Sequence, residues 1–514
     1  MIDEPLMDLE HLEAATERGW AVHKPGDVGS VDGGPGGWGA DTIVAISTAT
    51  GAGAIGIVRL SGPQAIELAE AAFQPARANP IEPEETHVLL YGHVVDPGVG
   101  EVVDEALLAV MRKPRSYTRE DVVELHCHGG PAAQRAVLRL VVRLGARLAE
   151  PGEFTRRAFL NGRIDLAQAE SVAAIVAARS TGALRASVRQ LEGGLSERLR
   201  LARRELVGLL ARIEATVDFS DEDVDELDWG SLAEGLGRVQ ETLLHLLGTA
   251  FVGRALEEGV WTAIVGKPNV GKSSLLNALL MRERAIVSEI PGTTRDTIEE
   301  LLEIGGIPIR LADTAGLRVG GDRVEQLGVE RSVRAMKQAD LVLAVIDLSA
   351  PREEDESELL SAADADRWII VGNKSDLVEG DTGGLEELAA RVHRSRRLGE
   401  SDAPGPARQC RACTVSALAG EGIDDLRSHI QDLVTGGPGL HLEEPILASE
   451  RQRVLVNEAV GSVSEAMAGV ARGEGEELVC EDIRMAAQAL GRITGEDLTP
   501  DLLDEIFTRF CLGK

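Results

Sequence analysis

An apolar run, Trp261 to Val265, leads straight into Gly266-Lys-Pro-Asn-Val-Gly-Lys-Ser273, and a helix-forming stretch follows. This GxxxxGK[ST] pattern constrains the fold because it works in one setting. A strand delivers the chain to a glycine-rich turn whose backbone N–H groups converge on an anion, and a helix N-terminus extends the same field. The neighbouring pattern agrees. Ile307 to Ala312, Leu341 to Ile346 and Trp368 to Gly372 are apolar runs alternating with helical stretches, which predicts a parallel sheet wrapped by helices.

The loop places Asn269, Val270, Gly271, Lys272, Ser273 and Ser274 around phosphates, with Lys272 reaching the β- and γ-phosphates and the Ser273 hydroxyl suited to Mg2+. Alone it establishes only nucleoside triphosphate binding and hydrolysis. The base is chosen further on, where Asn373, Lys374, Ser375 and Asp376 follow the strand Trp368 to Gly372. The Asp376 carboxylate can accept both N1–H and the 2-amino group of guanine, whereas adenine has an acceptor at N1 and no 2-amino group. Ser416, Ala417 and Leu418 end the next strand and supply a loop to back the base. Asp313, Thr314, Ala315 and Gly316 end another strand, where the carboxylate can hold the Mg2+ shell through water and the Gly316 N–H can meet the γ-phosphate. In the run Ser288, Glu289, Ile290, Pro291, Gly292, Thr293 and Thr294, the last residue is the natural switch threonine for Mg2+. These segments together predict a GTP-hydrolysing enzyme. Leu317, however, stands where many GTPases carry a water-orienting Gln. Either another group positions the water, or GTP is bound without efficient hydrolysis.

The rest of the chain follows other patterns. Residues 1–40 contain Gly33-Gly-Pro-Gly-Gly-Trp-Gly39 and no sustained periodicity, so they read as a flexible extension. Residues 41–158 mix β-rich runs, Thr42 to Ser47 and Ala54 to Leu60, with helical stretches such as Pro131 to Leu144, which predicts an α+β domain. Over 159–258 the apolar residues take helical spacing, with Leu184, Val188, Leu191 and Leu195 on one face and Leu206, Leu210, Ile213 and Val217 on another. Helical spacing returns over 438–514, so the simplest architecture is one helical bundle with an α/β nucleotide domain, 259–437, inserted into it.

The 514 residues, 44% hydrophobic and 27% charged, suffice for several cores. No run approaches the roughly 18 apolar residues of a membrane helix, and the acidic start Met1-Ile-Asp-Glu lacks a signal-peptide pattern. A soluble, cytoplasmic protein without membrane partners is expected. Five cysteines make no disulfide framework, and the lone CxxC of Cys410 and Cys413 lacks the second ligand pair of a structural zinc site. The formal charge of −32, from 85 acidic and 53 basic residues, argues against general affinity for phosphate backbones but leaves room for a local basic face that holds RNA.

Four further stretches carry a resemblance. They are Gly56-Ile-Val-Arg-Leu-Ser-Gly62, Ser116-Tyr-Thr-Arg-Glu-Asp-Val-Val-Glu-Leu-His-Cys-His-Gly-Gly130, Pro151-Gly-Glu-Phe-Thr-Arg-Arg-Ala-Phe-Leu-Asn-Gly162 and Phe510-Cys-Leu-Gly-Lys514. With the nucleotide motifs, the chain from Asp41 to Lys514 resembles the MnmE (TrmE) family of bacterial tRNA modification GTPases. The resemblance implies a tetrahydrofolate-binding-like N-terminal domain that also dimerises the protein, a helical domain, and a Ras-like domain inserted within it. It implies that a homodimer acts with the flavoprotein MnmG. The pair adds an aminomethyl or carboxymethylaminomethyl group to C5 of the wobble uridine of certain tRNAs, using a one-carbon unit from 5-formyltetrahydrofolate or 5,10-methylenetetrahydrofolate.

By motif position the resemblance assigns folate contacts to Arg59, Glu124, Arg163 and Lys514, and a reactive thiol to Cys511. Position 163 is Lys in many members, so Arg keeps the charge and alters the contact. For the missing Gln it implies a K+ ion held by Asn269, Ser288, Ile290 and Thr293 after activating pairing of GTPase domains, with water oriented through Glu325. Each residue also has a plainer reading. Glu124, His126 and His128 alternate along one strand face and fit a solvated edge, Cys511 fits a small buried residue in a docked helix, and Glu325 fits a helical surface acid. Two rival functions share the nucleotide motifs: a GTP-switched binding protein of ribosome assembly, and a folate enzyme with a regulatory GTPase and a substrate other than tRNA.

Overall fold

The computed structural model describes residues 41–49, 51–76, 86–218, 228–281, 299–312, 336, 338–350, 367–378, 384–397, 409–437, 444–496, 503, 506–508, 510 and 513. These fall into two compact units, one within Met1–Ala173, Leu199–Leu227 and Arg472–Lys514, the other within Ala174–Arg198 and Asp228–Ala471.

In the first unit, β1 (Ile43–Ile46), β2 (Ile55–Ser61), β3 (Phe73–Pro75), β4 (Val88–Asp96), β5 (Glu101–Met111), β6 (Val122–His128) and β7 (Arg147–Leu148) form one sheet, ordered β3-β4-β5-β6-β2-β1-β7. Every pairing is antiparallel except β1 with β7. Strand alternation sends Val58, Leu60, Val94, Leu108, Val123 and Leu125 to one face, where the helices Ala65–Ala72 and Pro131–Leu144 cover them with Leu68, Val137, Leu140 and Val141. Each such side chain contributes about 1.5–3 kcal/mol by leaving water. The helix beginning at Pro131 has the bounds expected from its sequence. Proline suits a first helical position, and Gly145 (φ 127°) closes the end with its N–H on the Val141 and Val142 carbonyls.

The stretch Pro151 to Gly162 becomes the helix Glu153–Leu160, buried although it carries Glu153, Arg156 and Arg157. Its charges are partnered. Arg157 Nη2 donates to Asp41 Oδ1 (2.8 Å) and Glu153 Oε1 (2.9 Å), its Nη1 reaches Glu120 Oε2 at 3.2 Å, and Arg147 grips the same Glu153. Burial by itself would raise the Glu153 pKa, but the arginines and the Glu150 N–H hold it below the ordinary value. Phe507 packs in tilted contact with Phe159 (6.3 Å) and Phe510 (5.1 Å), and Ser47 Oγ donates to the Gly513 carbonyl (3.2 Å), so Gly513 lies beside the end of β1. The helices Gly194–Asp218 and Glu476–Thr494 meet through Arg203 Nε donating to the Ala487 carbonyl (3.3 Å) and Arg484 to Glu214 (3.2 Å), and Arg203 also pairs with Glu496 just past the second helix (2.6 Å).

In the second unit, β8 (Val260–Val265), β9 (Glu299–Ile304), β10 (Ile307–Ala312), β11 (Leu341–Asp347), β12 (Arg367–Asn373) and β13 (Gln409–Thr414) form a six-stranded sheet, ordered β13-β12-β11-β8-β10-β9, parallel apart from β9. Both faces are buried, which is why the strands read as unbroken apolar runs. Leu341, Leu343 and Val345 join the core under the helix Ile423–Thr435, while Val342, Ala344 and Ile346 join the one containing Leu385 and Leu388 from the helix Gly384–Arg397. The helices Trp229–Gly248 and Glu450–Arg472, on either side of this sheet in sequence, meet through Gln240 Nε2 donating to Ser464 Oγ (2.9 Å). The α/β segment is thus inserted between packed helices, as the pattern predicts.

One expectation is corrected. Leu184 and Val188 do not lie on a buried stripe continuous with Leu195. The helix Thr181–Leu191 buries Gly182, Ala183, Ser187 and Gln190, leaving Leu184 and Val188 exposed, and Leu195 belongs to the helix that starts at Gly194. The reason is close docking: the Gly182 N–H donates to the Gly306 carbonyl (3.1 Å) at the β9–β10 turn, where any Cβ on Gly182 would sit 2.3 Å from that oxygen. Cys410 and Cys413, three apart on β13, point to opposite faces of the sheet and join different cores, so they do not converge on one ligand.

Candidate functional site

The described nucleotide motifs, Gly266 to Ser274, Asn373 to Asp376 and Ser416 to Leu418, converge at the C-terminal ends of the parallel strands, where open α/β sheets bind ligands. β8 passes into the loop at Gly266, and the helix Lys272–Met281 begins as the loop ends. Asn269 takes a left-handed φ of 66° and Gly271 a φ of 96°. A Cβ on Gly271 would lie 2.2 Å from Asn373 Nδ2, so glycine is required for the two motifs to touch. Asn373 itself is buried and joins three segments. Its Nδ2 donates to the Val270 carbonyl (2.8 Å), and its Oδ1 accepts the Ala417 N–H (3.0 Å). The backing loop is tied down again by Ser375 N–H donating to Val415 O (3.2 Å) and by buried Ser416, whose Oγ accepts the Ala419 N–H.

Groups that would meet a ligand remain accessible. Ser273, Ser274 and Asp376 are exposed, and Leu418 is 90% exposed, an apolar side chain that folding alone does not bury. Lys272 Nζ donates to the Gly266 and Lys267 carbonyls, both at 2.8 Å, and burial lowers its pKa. An anion in the loop offers that ammonium a stronger partner than two carbonyls. Lys374, with φ 64°, places Nζ 2.5 Å from Asp347 Oδ2 at the end of β11, a partner that sequence reasoning did not single out. Ser273 at a helix N-terminus has the donor chemistry for Mg2+. Ser288, Glu289, Ile290, Pro291, Gly292, Thr293, Thr294, Asp313, Thr314, Ala315, Gly316, Leu317 and Glu325 lie outside the described residues.

A second cluster occupies the sheet face of the first unit opposite its helices. β2 and β6 pair Arg59 with Glu124, and Arg59 Nε donates to Glu124 Oε1 at 2.8 Å. His126 Nε2 lies 3.1 Å from Oε2 of the same carboxylate. Glu124 and His126 are therefore on an interior strand between β5 and β2, which removes the solvated-edge reading. The Arg59 guanidinium stands 5.7 Å from the Tyr117 ring centroid and 5.8 Å from that of Phe154. Exposed Arg163 lies over Tyr117 at 4.7 Å. Arg59, Glu124 and Arg163 are thus brought together, with Tyr117 between the cations. Tyr117 and Phe154 stand in the motif stretches but were not singled out; an aromatic residue beside each cationic motif was the available signal. Cys511 and Lys514 lie outside the described residues, although Gly513 is docked at Ser47 in this unit. Among the described residues no group of three or more His, Cys, Asp or Glu could hold a metal ion, and no helix is long and apolar enough to cross a membrane.

The family profile described as the N-terminus of the GTP-binding protein TrmE matches residues 42–163, and that of the MnmE helical domain matches 166–511. Among curated relatives, the tRNA modification GTPase MnmE of Moorella thermoacetica is 47% identical over 479 residues, covering 92% of this chain and 99% of that protein. Those of Acetivibrio thermocellus and Geobacillus thermodenitrificans are each 43% identical with the same coverage. With both profiles in register with the two sheets and the helices around them, the chain belongs to the MnmE family of tRNA modification GTPases.

Proposed function

We propose that this protein hydrolyses GTP and, with the flavoprotein MnmG, installs an aminomethyl or carboxymethylaminomethyl group on C5 of the wobble uridine of certain tRNAs in the cytoplasm. Its division of labour follows the segments 41–158 for folate and dimerisation, 159–258 and 438–514 for the helical domain, and 259–437 for GTP. The observation that carries this reading is the cluster of Arg59, Glu124, Tyr117 and Arg163 in a chain that also has a guanine-type phosphate site. A carboxylate paired with a guanidinium that itself stands beside two aromatic rings suits a flat heterocycle bearing N–H donors, and a second, exposed guanidinium suits an anionic tail. These are the features of 5-formyltetrahydrofolate or 5,10-methylenetetrahydrofolate, which supplies a one-carbon unit when bound. Lys514 is the further cation assigned to that tail, and Cys511 is the candidate thiol for capturing that unit.

In the nucleotide site, Lys272 and the loop N–H groups hold the phosphates, Ser273 and Thr294 hold Mg2+, and Asp376 reads guanine. K+ held by Asn269, Ser288, Ile290 and Thr293 supplies positive charge where an arginine would in other GTPases, and Glu325 orients water in place of the side chain that Leu317 lacks. The exposed apolar side chains Leu89, Tyr91 and Leu107, on neighbouring strands of the first sheet, support a homodimer through this domain.

Calorimetry with 5-formyltetrahydrofolate tests the reading. Binding is expected in the wild type and lost in Arg59→Ala and Glu124→Ala. Full folate affinity in both variants would refute the assignment. Nucleoside mass analysis of tRNA from a deletion strain separates it from a folate enzyme with another substrate.

A further inference from the structure

β11 and β12 run parallel with Asp347 level with Asn373, and the Leu348 N–H donates to the Asn373 carbonyl (3.0 Å). The chain then turns through the left-handed conformation of Lys374. That turn returns the lysine to the end of β11, with Nζ 2.5 Å from Asp347 Oδ2. The other carboxylate oxygen, Oδ1, accepts both the N–H (2.9 Å) and the hydroxyl (2.6 Å) of Ser349. The carboxylate is therefore oriented by its own turn, and one oxygen is left for the lysine. Both side chains are mostly shielded, 17% and 31% exposed, where an ion pair is screened less than on an open surface.

From these contacts we infer that Asp347 is a positioning residue of the guanine site, acting through Lys374 to raise guanine-nucleotide affinity without touching the nucleotide. The inference rests on the reading of Asn373 to Asp376 as that site. Lys374 stands between Asn373, which ties the phosphate loop to the backing loop, and Asp376, which faces the base. With its tip tethered, the lysine stem is held beside the position of the base before the nucleotide arrives. Without the tether, binding must order a long side chain that is otherwise free among many rotamers. The acceptor for Ser349 needs no charge, since an amide oxygen serves equally. The negative charge is needed only for the lysine.

Asp347→Asn is accordingly a clean perturbation, because it keeps an oxygen for Ser349 and removes the ion pair. GDP affinity by calorimetry should fall about three- to tenfold, the cost of immobilising one long side chain on binding. Lys374→Met, which keeps the stem and removes the ammonium, should lose a similar factor, and the double variant should be no weaker than the weaker single one. Unchanged affinity in Asp347→Asn, or losses that multiply in the double variant, would overturn the inference. ATP competition against GDP in the wild type tells the two readings apart. Equal competition overturns the guanine assignment and the inference with it, whereas a guanine-selective wild type with an unaffected Asp347→Asn overturns the inference alone.

Discussion

Replacing Asn373 by alanine removes a side chain that joins the phosphate loop, the end of β12 and the backing loop. Two hydrogen bonds go, Nδ2 to the Val270 carbonyl at 2.8 Å and the Ala417 N–H to Oδ1 at 3.0 Å. Because Asn373 is 2% exposed, the carbonyl and the N–H left behind are poorly hydrated. Each stranded buried group costs about 1–3 kcal/mol, so the bound arrangement of the loops loses roughly 2–4 kcal/mol after partial relaxation. At about 1.4 kcal/mol per factor of ten, GTP affinity should fall roughly 30- to 1000-fold. Asn373→Asp is the informative companion. It retains an acceptor for Ala417 but turns an acceptor toward the Val270 carbonyl, so it should be no better than alanine. Calorimetry with GDP measures both variants, and melting of the second unit, which contains Asn373, checks that it is folded. Affinity within threefold of the wild type in Asn373→Ala would refute the claim that this side chain couples the two loops.

Asp376→Asn should weaken GTP binding and shift preference toward xanthosine nucleotides, because the amide then donates where guanine also donates; competition between GTP, XTP and ATP measures it. GTP turnover should be fast in KCl and slow in NaCl at matched ionic strength, with Asn269→Ala losing the difference, and electrostatic help of this kind is worth roughly 10³–10⁵ in rate. Equal turnover in both salts would exclude the cation role while leaving the GTP site intact. Glu153 has a folded pKa below its ordinary 4.5, so its stabilisation is complete above that value and is lost as pH falls through the lower, folded one. Melting of the first unit should accordingly drop on acidification below about pH 4.5. Glu153→Ala should cost about 1.5–3 kcal/mol, because buried Arg157 loses one of its three carboxylates and keeps Asp41 and Glu120, with a flatter pH profile.

Local chemistry made much of this protein legible in its sequence. The phosphate loop needs a strand before it and a helix after it, both encoded within about twenty residues, and the two faces of the parallel sheet demand the apolar runs that mark β8, β10, β11 and β12. Helix Pro131–Leu144 was equally readable, because its proline and glycine limits act on their own backbone. Partners distant in sequence were another matter. That Leu184 and Val188 face outward follows from a glycine meeting Gly306, more than a hundred positions away, and that Cys410 and Cys413 separate follows from which sheet face each core covers. Arg59 meets Glu124 because β2 and β6 align in one register, a shift of one residue from which would put the two on opposite faces. Lys374 finds Asp347 because β11 and β12 end level. Spacing along the chain specifies which elements form, whereas register and crossover between elements far apart decide which charges face one another. Those relations exist only in the folded sheet.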